Sequence, residues 1–278
     1  REYEMMDRKS GIKLGCSTWM MPGETFGEKI AAAKGYGFDG VEVRLFEEEA
    51  TPATVREIMD ALDAAGMGAA NLIMPGETYR RPLLDRGILD AKIKLSEKAI
   101  DTAAQLGCPT IVCPEYGYQN PLPLFDHPRR PSVEVHSLLI EFLRHVSDYA
   151  GRAGTKVMIE PINRYETRFF YTLDDGKAVI DEVGSPHLML LADLFHMNIE
   201  ETDIEDAILS HKGDIRHVHL GDSNRLLLGM GHTDFAAVFK ALTVIGYDGY
   251  TALECSTAGD PDVVFPRCVE YPNSVMCK

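Results

Sequence analysis

Short apolar runs alternate with amphipathic segments along nearly the whole chain. Apolar residues recur at helical spacing in the segments between the runs, for example at Phe235, Val238, Phe239, Leu242 and Ile245. The runs are as short and apolar as strands buried on both faces of a parallel sheet. The predicted strands are Ile12–Cys16, Gly40–Leu45, Gly68–Ile73, Thr110–Pro114, Lys156–Glu160, Leu188–Asp193, Arg216–Leu220 and Tyr250–Glu254.

Start and stop signals support the helices between these strands. Thr51 precedes Pro52, which suits the first helical position, and Asp234 is placed to cap the helix that follows it. The segment 202–205 (Thr-Asp-Ile-Glu) has the pattern of a capping box. Glycines end the helices before Val41 and Tyr250 in the same way.

Eight strands that alternate with helices predict a single (β/α)8 TIM barrel spanning residues 11–278. A doubly wound open sheet is the competing arrangement, but no glycine-rich phosphate-binding motif follows the first strand. Residues 1–10 are charged, lack the apolar stretch of a signal peptide, and are interpreted as a disordered leader or a cloning remnant.

Composition, charge and cysteine spacing argue against several classes of protein. The 278 residues carry 28 basic and 43 acidic side chains, a formal charge of −15, which argues against a nucleic-acid groove. No apolar run reaches the roughly 18–20 residues of a membrane span, so no membrane partner is expected. The six cysteines form no CxxC pair, which favours buried, inert thiols in a reducing cytoplasm.

Polar residues cluster where the last four predicted strands end. Glu160, Asp193, His219 and Glu254 each follow an apolar run. Strand ends meet on one face of a barrel, and three carboxylates with one imidazole suit a divalent cation, Mn²⁺ first, with Mg²⁺ or Co²⁺ as alternatives. Taken singly, each residue has a simpler interpretation: a carboxylate paired at the rim, a helix cap at Asp193, or a core histidine at His219. His217, two residues before His219 on the same strand face, is interpreted as a deeper core residue or as one that supports the ligand His219.

Three segments of the second half resemble one enzyme family. Residues 159–167 (IEPINRYET) look like the E-x-x-N-R-[YF]-E segment of ketose 3-epimerases, and residues 193–201 (DLFHMNIEE) are similar to their D-T-F-H-M-N-I-E-E run. Residues 217–225 (HVHLGDSNR), with the Gly-Met-Gly-His of 229–232, resemble their H-x-H-x-x-[ED]-x-x-R…G-x-G-x segment. These enzymes belong to the xylose isomerase-like TIM barrels, also called the sugar phosphate isomerase/epimerase superfamily.

The resemblance implies a metal-dependent ketose 3-epimerase or sugar isomerase that works by proton abstraction and return through an enediolate. It also implies a homodimer or homotetramer that binds a small sugar. The residues that match the family's roles are Glu160, Asp193, His219 and Glu254 as metal ligands, Glu160 and Glu254 also as the catalytic acid/base pair, and Glu166, His196 and Arg225 as substrate contacts.

The first half of the chain matches the family weakly, so the substrate is less defined than the catalytic centre. Leu194, Asp222 and the apolar stretch Leu226–Leu228 depart from the family pattern, and an apolar loop would accept something bulkier than a free sugar. The proline-rich segment 115–137 is either a lid over the site or a simple surface loop. The residues expected to line the far side of the pocket are Cys16, Trp19, Arg44, Met74 and Glu115.

Other functions stay open at this point. The same proton abstraction could act on hydroxypyruvate, an inosose or a 3-keto-glycoside, giving a related isomerase, dehydratase or lyase. An AP-endonuclease-like nuclease shares the barrel but needs three zinc ions and a basic face. A non-catalytic sugar-binding protein would not need both carboxylates. No cluster of basic residues resembles a phosphate clamp, which favours an unphosphorylated sugar.

Overall fold

A computed structural model describes residues 11–116 and 130–276. Eight parallel strands close into a barrel in chain order, and the last pairs with the first. The strands are β1 (Lys13–Ser17), β2 (Gly40–Arg44), β3 (Gly68–Ile73), β4 (Thr110–Ile111), β5 (Val157–Ile159), β6 (Leu188–Asp193), β7 (Ile215–Leu220) and β8 (Tyr250–Leu253). The predicted single (β/α)8 barrel is confirmed.

Helices surround the barrel, and two short ones, α3 and α7, lie on the connections that follow β3 and β6. The α-helices of the described ranges are α1 (Phe26–Tyr36), α2 (Pro52–Ala65), α3 (Glu77–Arg80), α4 (Arg86–Leu106), α5 (Val133–Ala153), α6 (Leu173–Val183), α7 (Leu194–Glu200), α8 (Ile204–Ser210), α9 (Phe235–Val244) and α10 (Pro261–Met276).

Helix caps follow the sequence signals with one exception. Thr51 accepts a hydrogen bond from the backbone N–H of Thr54, and Asp234 accepts one from that of Ala237, as predicted. The predicted capping box at 202–205 is wrong by one residue. Asp203 is the N-cap of α8, and its carboxylate accepts from the backbone N–H of Asp206.

Strand ends differ slightly from the predicted bounds. β4 is short because the chain leaves the ladder after Val112, whose N–H still reaches the carbonyl of Met158 at 2.9 Å, and Pro114 has no N–H to offer. β5 ends at Ile159, before Glu160 and Pro161. The Glu160 side chain therefore lies just beyond the strand.

The inside of the barrel has an apolar layer beneath a polar one. Ile73, Ile111, Met158 and Leu191 form a separate buried cluster on four neighbouring strands. Met158 and Leu191 precede Glu160 and Asp193 by two residues and so share their face of the strand. A larger core fills the space between the barrel and the helices. Glu160 and Asp193 consequently lie above a buried apolar layer.

Other sequence expectations can be placed on the fold. Cys16, Cys108, Cys113, Cys255 and Cys268 are free and buried, as expected. Among the described residues, no helix combines the length and the apolar character that a membrane crossing requires. Residues 1–10, most of the proline-rich segment 115–137 and Cys277 lie outside the described residues.

Candidate active site

The structure brings together the four side chains at the ends of β5 to β8. Glu160, Asp193, His219 and Glu254 each offer one ligand atom, and these atoms lie within 4.8 Å of one another. Nδ1 of His219 is the centre of the group, 3.6 Å from Glu160, 3.6 Å from Asp193 and 3.3 Å from Glu254. The alternatives in which each residue serves a separate structural purpose do not explain this convergence.

His219 is held from behind by a carboxylate. Its Nε2 lies 2.7 Å from Oε2 of Glu42, which projects into the barrel from β2. Burial lowers the pKa of His219, but the charges of Glu42 and Glu254 outweigh burial and raise it well above its ordinary value. Nδ1 has no hydrogen-bond partner among the described residues. The ring thus presents one nitrogen to the cluster and gives the other to Glu42.

His196 faces the same space from α7, and its tautomer follows from its neighbours. The backbone N–H of Asn163 donates to Nδ1 at 3.3 Å, and the Asn163 amide lies 2.7 Å from the same atom. Nδ1 is therefore the acceptor, and Nε2 carries the proton. Nε2 has no hydrogen-bond partner in the described part of the chain and lies 3.9 Å from Glu160 and from Asp193. It is a buried donor aimed at the cluster.

Asp193 is both a helix cap and a member of the cluster. Its Oδ1 accepts from the backbone N–H groups of Phe195 and His196, so Asp193 is the N-cap of α7, which begins at Leu194. Its Oδ2 accepts from Arg225 at 2.7 Å. Burial raises the pKa of Asp193, but the Arg225 charge outweighs burial and holds it well below its usual range. Capping thus fixes one oxygen and leaves the other for the site.

Arg225 reaches the cluster from the loop after β7. Its guanidinium donates to Asp193 at 2.7 Å and to Glu254 at 2.5 Å and stacks 4.8 Å from the Phe195 ring. Among the described residues it is the one non-glycine with positive φ, at 60°. Such a conformation costs about 1 kcal/mol or more unless the surroundings impose it.

Asp222 imposes that conformation. Its carboxylate accepts backbone N–H donors from Ser223, Gly231 and Thr233 and so ties the two ends of the loop together. A Cβ at Gly231 would collide with this carboxylate. Asp222, one of the residues that depart from the family pattern, therefore stabilises the loop that positions Arg225.

Glu166 lies one step away from the cluster. Its Oε1 accepts from the Asn163 amide at 2.9 Å, and Asn163 in turn contacts His196. Glu166 is predicted to contact the substrate, and in the structure Asn163 links its carboxylate to His196. Arg164, in the same segment, forms a bidentate ion pair with Glu200 and so ties the loop after β5 to the C-terminal end of α7.

The predicted far wall is only partly as expected. Arg44 lies 5.9 Å from the ring of Trp19 and 5.5 Å from that of Phe46, and Trp19 is 43% exposed. Glu115 differs, because both its oxygens accept hydrogen bonds from Arg168. Its carboxylate is therefore committed to an ion pair. Cys16 and Met74 are buried.

Two of the three residues in the apolar stretch 226–228 are buried in the core. Leu227 and Leu228 are 2% and 6% exposed and belong to the main core. Burial of these two side chains under the Arg225 loop explains their apolar character without any bulky substrate.

Sequence reasoning missed several residues of the site. Glu42 interrupts the apolar run of β2, and a charge in the middle of a buried strand is a usable signal. Asn163 stands inside the recognised motif but was given no role. The Tyr79 and Tyr116 rings pack edge to face with their centroids 6.3 Å apart, and burial raises the pKa of both phenols. Nothing in the local sequence marks these two tyrosines.

The donor set fits a divalent cation. Three carboxylates and one imidazole nitrogen are hard or borderline ligands, suited to Mn²⁺, Mg²⁺ or Co²⁺. Nδ1 of His219 is buried, unpartnered within the described residues and aimed at the three carboxylates. Burial raises the pKa of Glu160, as expected for a carboxylate that lacks enough positive charge around it. A cation would supply that charge.

Comparisons with known proteins show which family the chain belongs to. The family model "Xylose isomerase-like TIM barrel" matches residues 30–267. The 3-dehydro-D-guloside 4-epimerase of Escherichia coli (strain K12) is 28% identical over 245 residues, covering 87% of this chain and 92% of that protein. The L-ribulose 3-epimerase of Methylomonas sp. (strain DH-1) is 30% identical over 247 residues, covering 86% of this chain and 82% of that protein.

Solved structures show the same likeness. The E. coli 3-keto-D-glucoside 4-epimerase, in its apo form, superposes with a TM-score of 0.83 at 26% identity, covering 95% of this chain and 99% of that one. The D-allulose 3-epimerase of Methylomonas sp. in complex with D-allulose superposes with a TM-score of 0.76 at 28% identity, covering 93% and 89%. The named curated relatives are epimerases, in the isomerase class. The chain belongs to the xylose isomerase-like TIM barrel family.

Proposed function

We propose that this protein is a metal-dependent epimerase that inverts C3 of a ketose by removing and returning a proton. The observation that carries the proposal is the convergence of Glu160 and Glu254 on Nδ1 of His219, at 3.6 and 3.3 Å. Two carboxylates at one centre provide a base on one side of a substrate carbon and an acid on the other. The epimerase relatives support the reaction class.

Glu160, Asp193, His219 and Glu254 would hold the metal ion. A bound divalent cation supplies Lewis-acid polarisation of the sugar carbonyl and of the oxygens beside it. Glu160 and Glu254 take the proton from C3 and return one to the opposite face.

His196 and Arg225 stabilise the charge that develops on the substrate oxygen. The Nε2–H of His196 is fixed as a donor by Asn163 and points into the site before any substrate arrives. A donor that is already oriented needs no reorganisation during the reaction. Arg225 adds a positive charge from the other side, and Glu166 orients a substrate hydroxyl or the Asn163 amide.

The substrate we favour is an unphosphorylated ketose, bound in the cytoplasm by a homodimer or homotetramer that carries Mn²⁺. The second candidate is a 3-keto-glycoside, inverted at the carbon next to its ketone by the same pair of carboxylates. The relative that favours it is the E. coli 3-dehydro-D-guloside 4-epimerase, 92% of whose length this chain matches. Trp19, 43% exposed, would offer a ring surface to a second sugar unit.

Exchange of solvent deuterium tests the reaction and separates the substrates. The Mn²⁺-loaded enzyme is incubated in D2O with D-allulose, L-ribulose, D-tagatose and a 3-keto-glucoside, and each product is examined by NMR. We expect deuterium at C3 of a ketose together with its 3-epimer. Exchange only at C4 of the keto-glycoside selects the second candidate, and no exchange with any of them refutes proton abstraction. Three zinc ions per chain would instead indicate the nuclease.

A further inference from the structure

We propose that Glu42 is the positioning residue for the metal ligand His219: it holds the ring so that Nδ1 faces the metal and Nε2 keeps the proton. The inference rests on the proposed metal-dependent function. It concerns a residue on β2, on the side of the barrel that carries none of the four ligands.

Glu42 is buried in the centre of a small polar group. The side chain is 0% exposed, and its Oε2 lies 2.7 Å from Nε2 of His219, 3.3 Å from Nε2 of His217 and 3.1 Å from Nδ2 of Asn71. A carboxyl group buried inside the barrel is costly unless it has partners, and these three nitrogen atoms are its partners.

The arrangement is directional. One oxygen of Glu42 faces three nitrogen atoms, and the shortest of the three distances goes to His219. Asn71 donates to the same oxygen and so fixes the carboxylate, which in turn fixes the imidazole. The other nitrogen of the imidazole, Nδ1, is left without a hydrogen-bond partner among the described residues. A carboxylate behind a ligating histidine orients the ring and increases its basicity toward the metal.

The same atoms could be read as a second metal site, because Glu42, His217 and His219 also form a compact donor group. The distances argue against this reading. Nε2 of His219 and Oε2 of Glu42 are 2.7 Å apart, the separation of a charge-assisted hydrogen bond. His219 would also have to bind one cation through each nitrogen. Glu42 therefore supports the candidate metal site on the Nδ1 side of His219.

Binding of Mn²⁺ alone to the metal-free full-length protein tests the role of Glu42 by calorimetry. Glu42→Gln keeps the shape of the side chain and removes its charge. We expect one Mn²⁺ per wild-type chain and an affinity about 10- to 100-fold weaker in the variant. Thr110→Val is the matched control, because Thr110 is equally buried in β4 and donates to the carbonyl of Leu72 without touching this group. We expect its Mn²⁺ affinity to stay within about twofold of wild type.

A second measurement needs no variant and decides the matter if Glu42→Gln does not fold. In the Mg²⁺-loaded wild type, ¹⁵N NMR shows which ring nitrogen of His219 carries the proton. Protonated Nε2 supports the proposal, and protonated Nδ1 overturns it. Unchanged Mn²⁺ affinity in folded Glu42→Gln, or two Mn²⁺ per wild-type chain, also overturns it while leaving the epimerase proposal intact. A wild type that binds no divalent ion refutes both.

Discussion

Two cationic side chains, the buried Lys92 and the partly buried Arg225, are satisfied in different ways. Lys92, on α4, donates to the backbone carbonyls of Thr78, Tyr79 and Cys113 at 3.1, 3.0 and 2.8 Å. Arg225 donates to two carboxylates of the candidate metal site. The ammonium group of Lys92 is therefore surrounded by backbone acceptors. Around Arg225, Nδ1 of His219 and Nε2 of His196 are left without partners in the described residues.

The difference separates structural polarity from functional polarity. A buried polar group that is matched by backbone stabilises the fold and has nothing left to offer a ligand. Buried groups that converge and stay partly unmatched are costly, so they persist where a ligand completes them. The region around Lys92 should thus control stability, and the region around His219 should control turnover.

The largest effect is expected at Glu254. Glu254→Gln removes one of the two acid/base carboxylates, and turnover should fall by at least about 10³-fold, or about 4 kcal/mol of barrier. Steady-state kinetics measures the loss, and circular dichroism should show an unchanged fold. Glu48→Gln is the control, since Glu48 is exposed in the connection between β2 and α2. Turnover that survives in Glu254→Gln would contradict the assignment.

Lys92 should show the opposite behaviour. Lys92→Met leaves three carbonyls without their donor, so the free energy of unfolding should fall by about 2–3 kcal/mol. Denaturant unfolding measures this loss. Mn²⁺ affinity should stay near that of wild type, because Lys92 contacts none of the four ligands. A folded, stable Lys92→Met variant that has lost Mn²⁺ binding would contradict the separation between a region around Lys92 that controls stability and a region around His219 that controls turnover.

The stability lost in Lys92→Met should also depend on pH. Burial lowers the pKa of Lys92 to about 8 from 10.5, so between these values the unfolded chain holds a proton that the native chain has released. The wild type gains stability from this residue as pH rises, at about 1.4 kcal/mol per unit, and loses that contribution as pH falls through the folded value. The stability gap between wild type and Lys92→Met should therefore widen from pH 8 to 10.

A smaller effect is expected at Asn163. Asn163→Ala removes the amide beside Nδ1 of His196 but keeps the backbone N–H that also donates there. One orienting hydrogen bond contributes about 1 kcal/mol, so kcat should fall about fivefold to tenfold while KM for the ketose changes less. A change in KM alone would place Asn163 in substrate binding instead of in the orientation of His196.

The four predicted ligands were accessible from sequence because each ends an apolar run, and the ends of parallel strands meet. The helix caps at Thr51 and Asp234 were equally local signals. The capping-box prediction at 202–205 missed by one residue because neighbouring Asp203 is as good a cap as Thr202. Glu115 was expected to line the pocket, and the structure adds that its carboxylate binds Arg168, 53 residues away. Local pattern could not show that partner.

The sequence by itself determined the barrel and the strand ends at which Glu160, Asp193, His219 and Glu254 meet. Hydrophobic periodicity and the residues at strand ends are local features of the chain, so they can be recognised before the fold is known. Tertiary structure alone decided that Glu42 lies behind His219, that Asn163 sets the proton on His196 and that Lys92 is enclosed by carbonyls. These contacts join residues 177, 33 and 21 positions apart, and their chemistry depends on distances of a few ångströms. Only closure of the barrel makes those distances short.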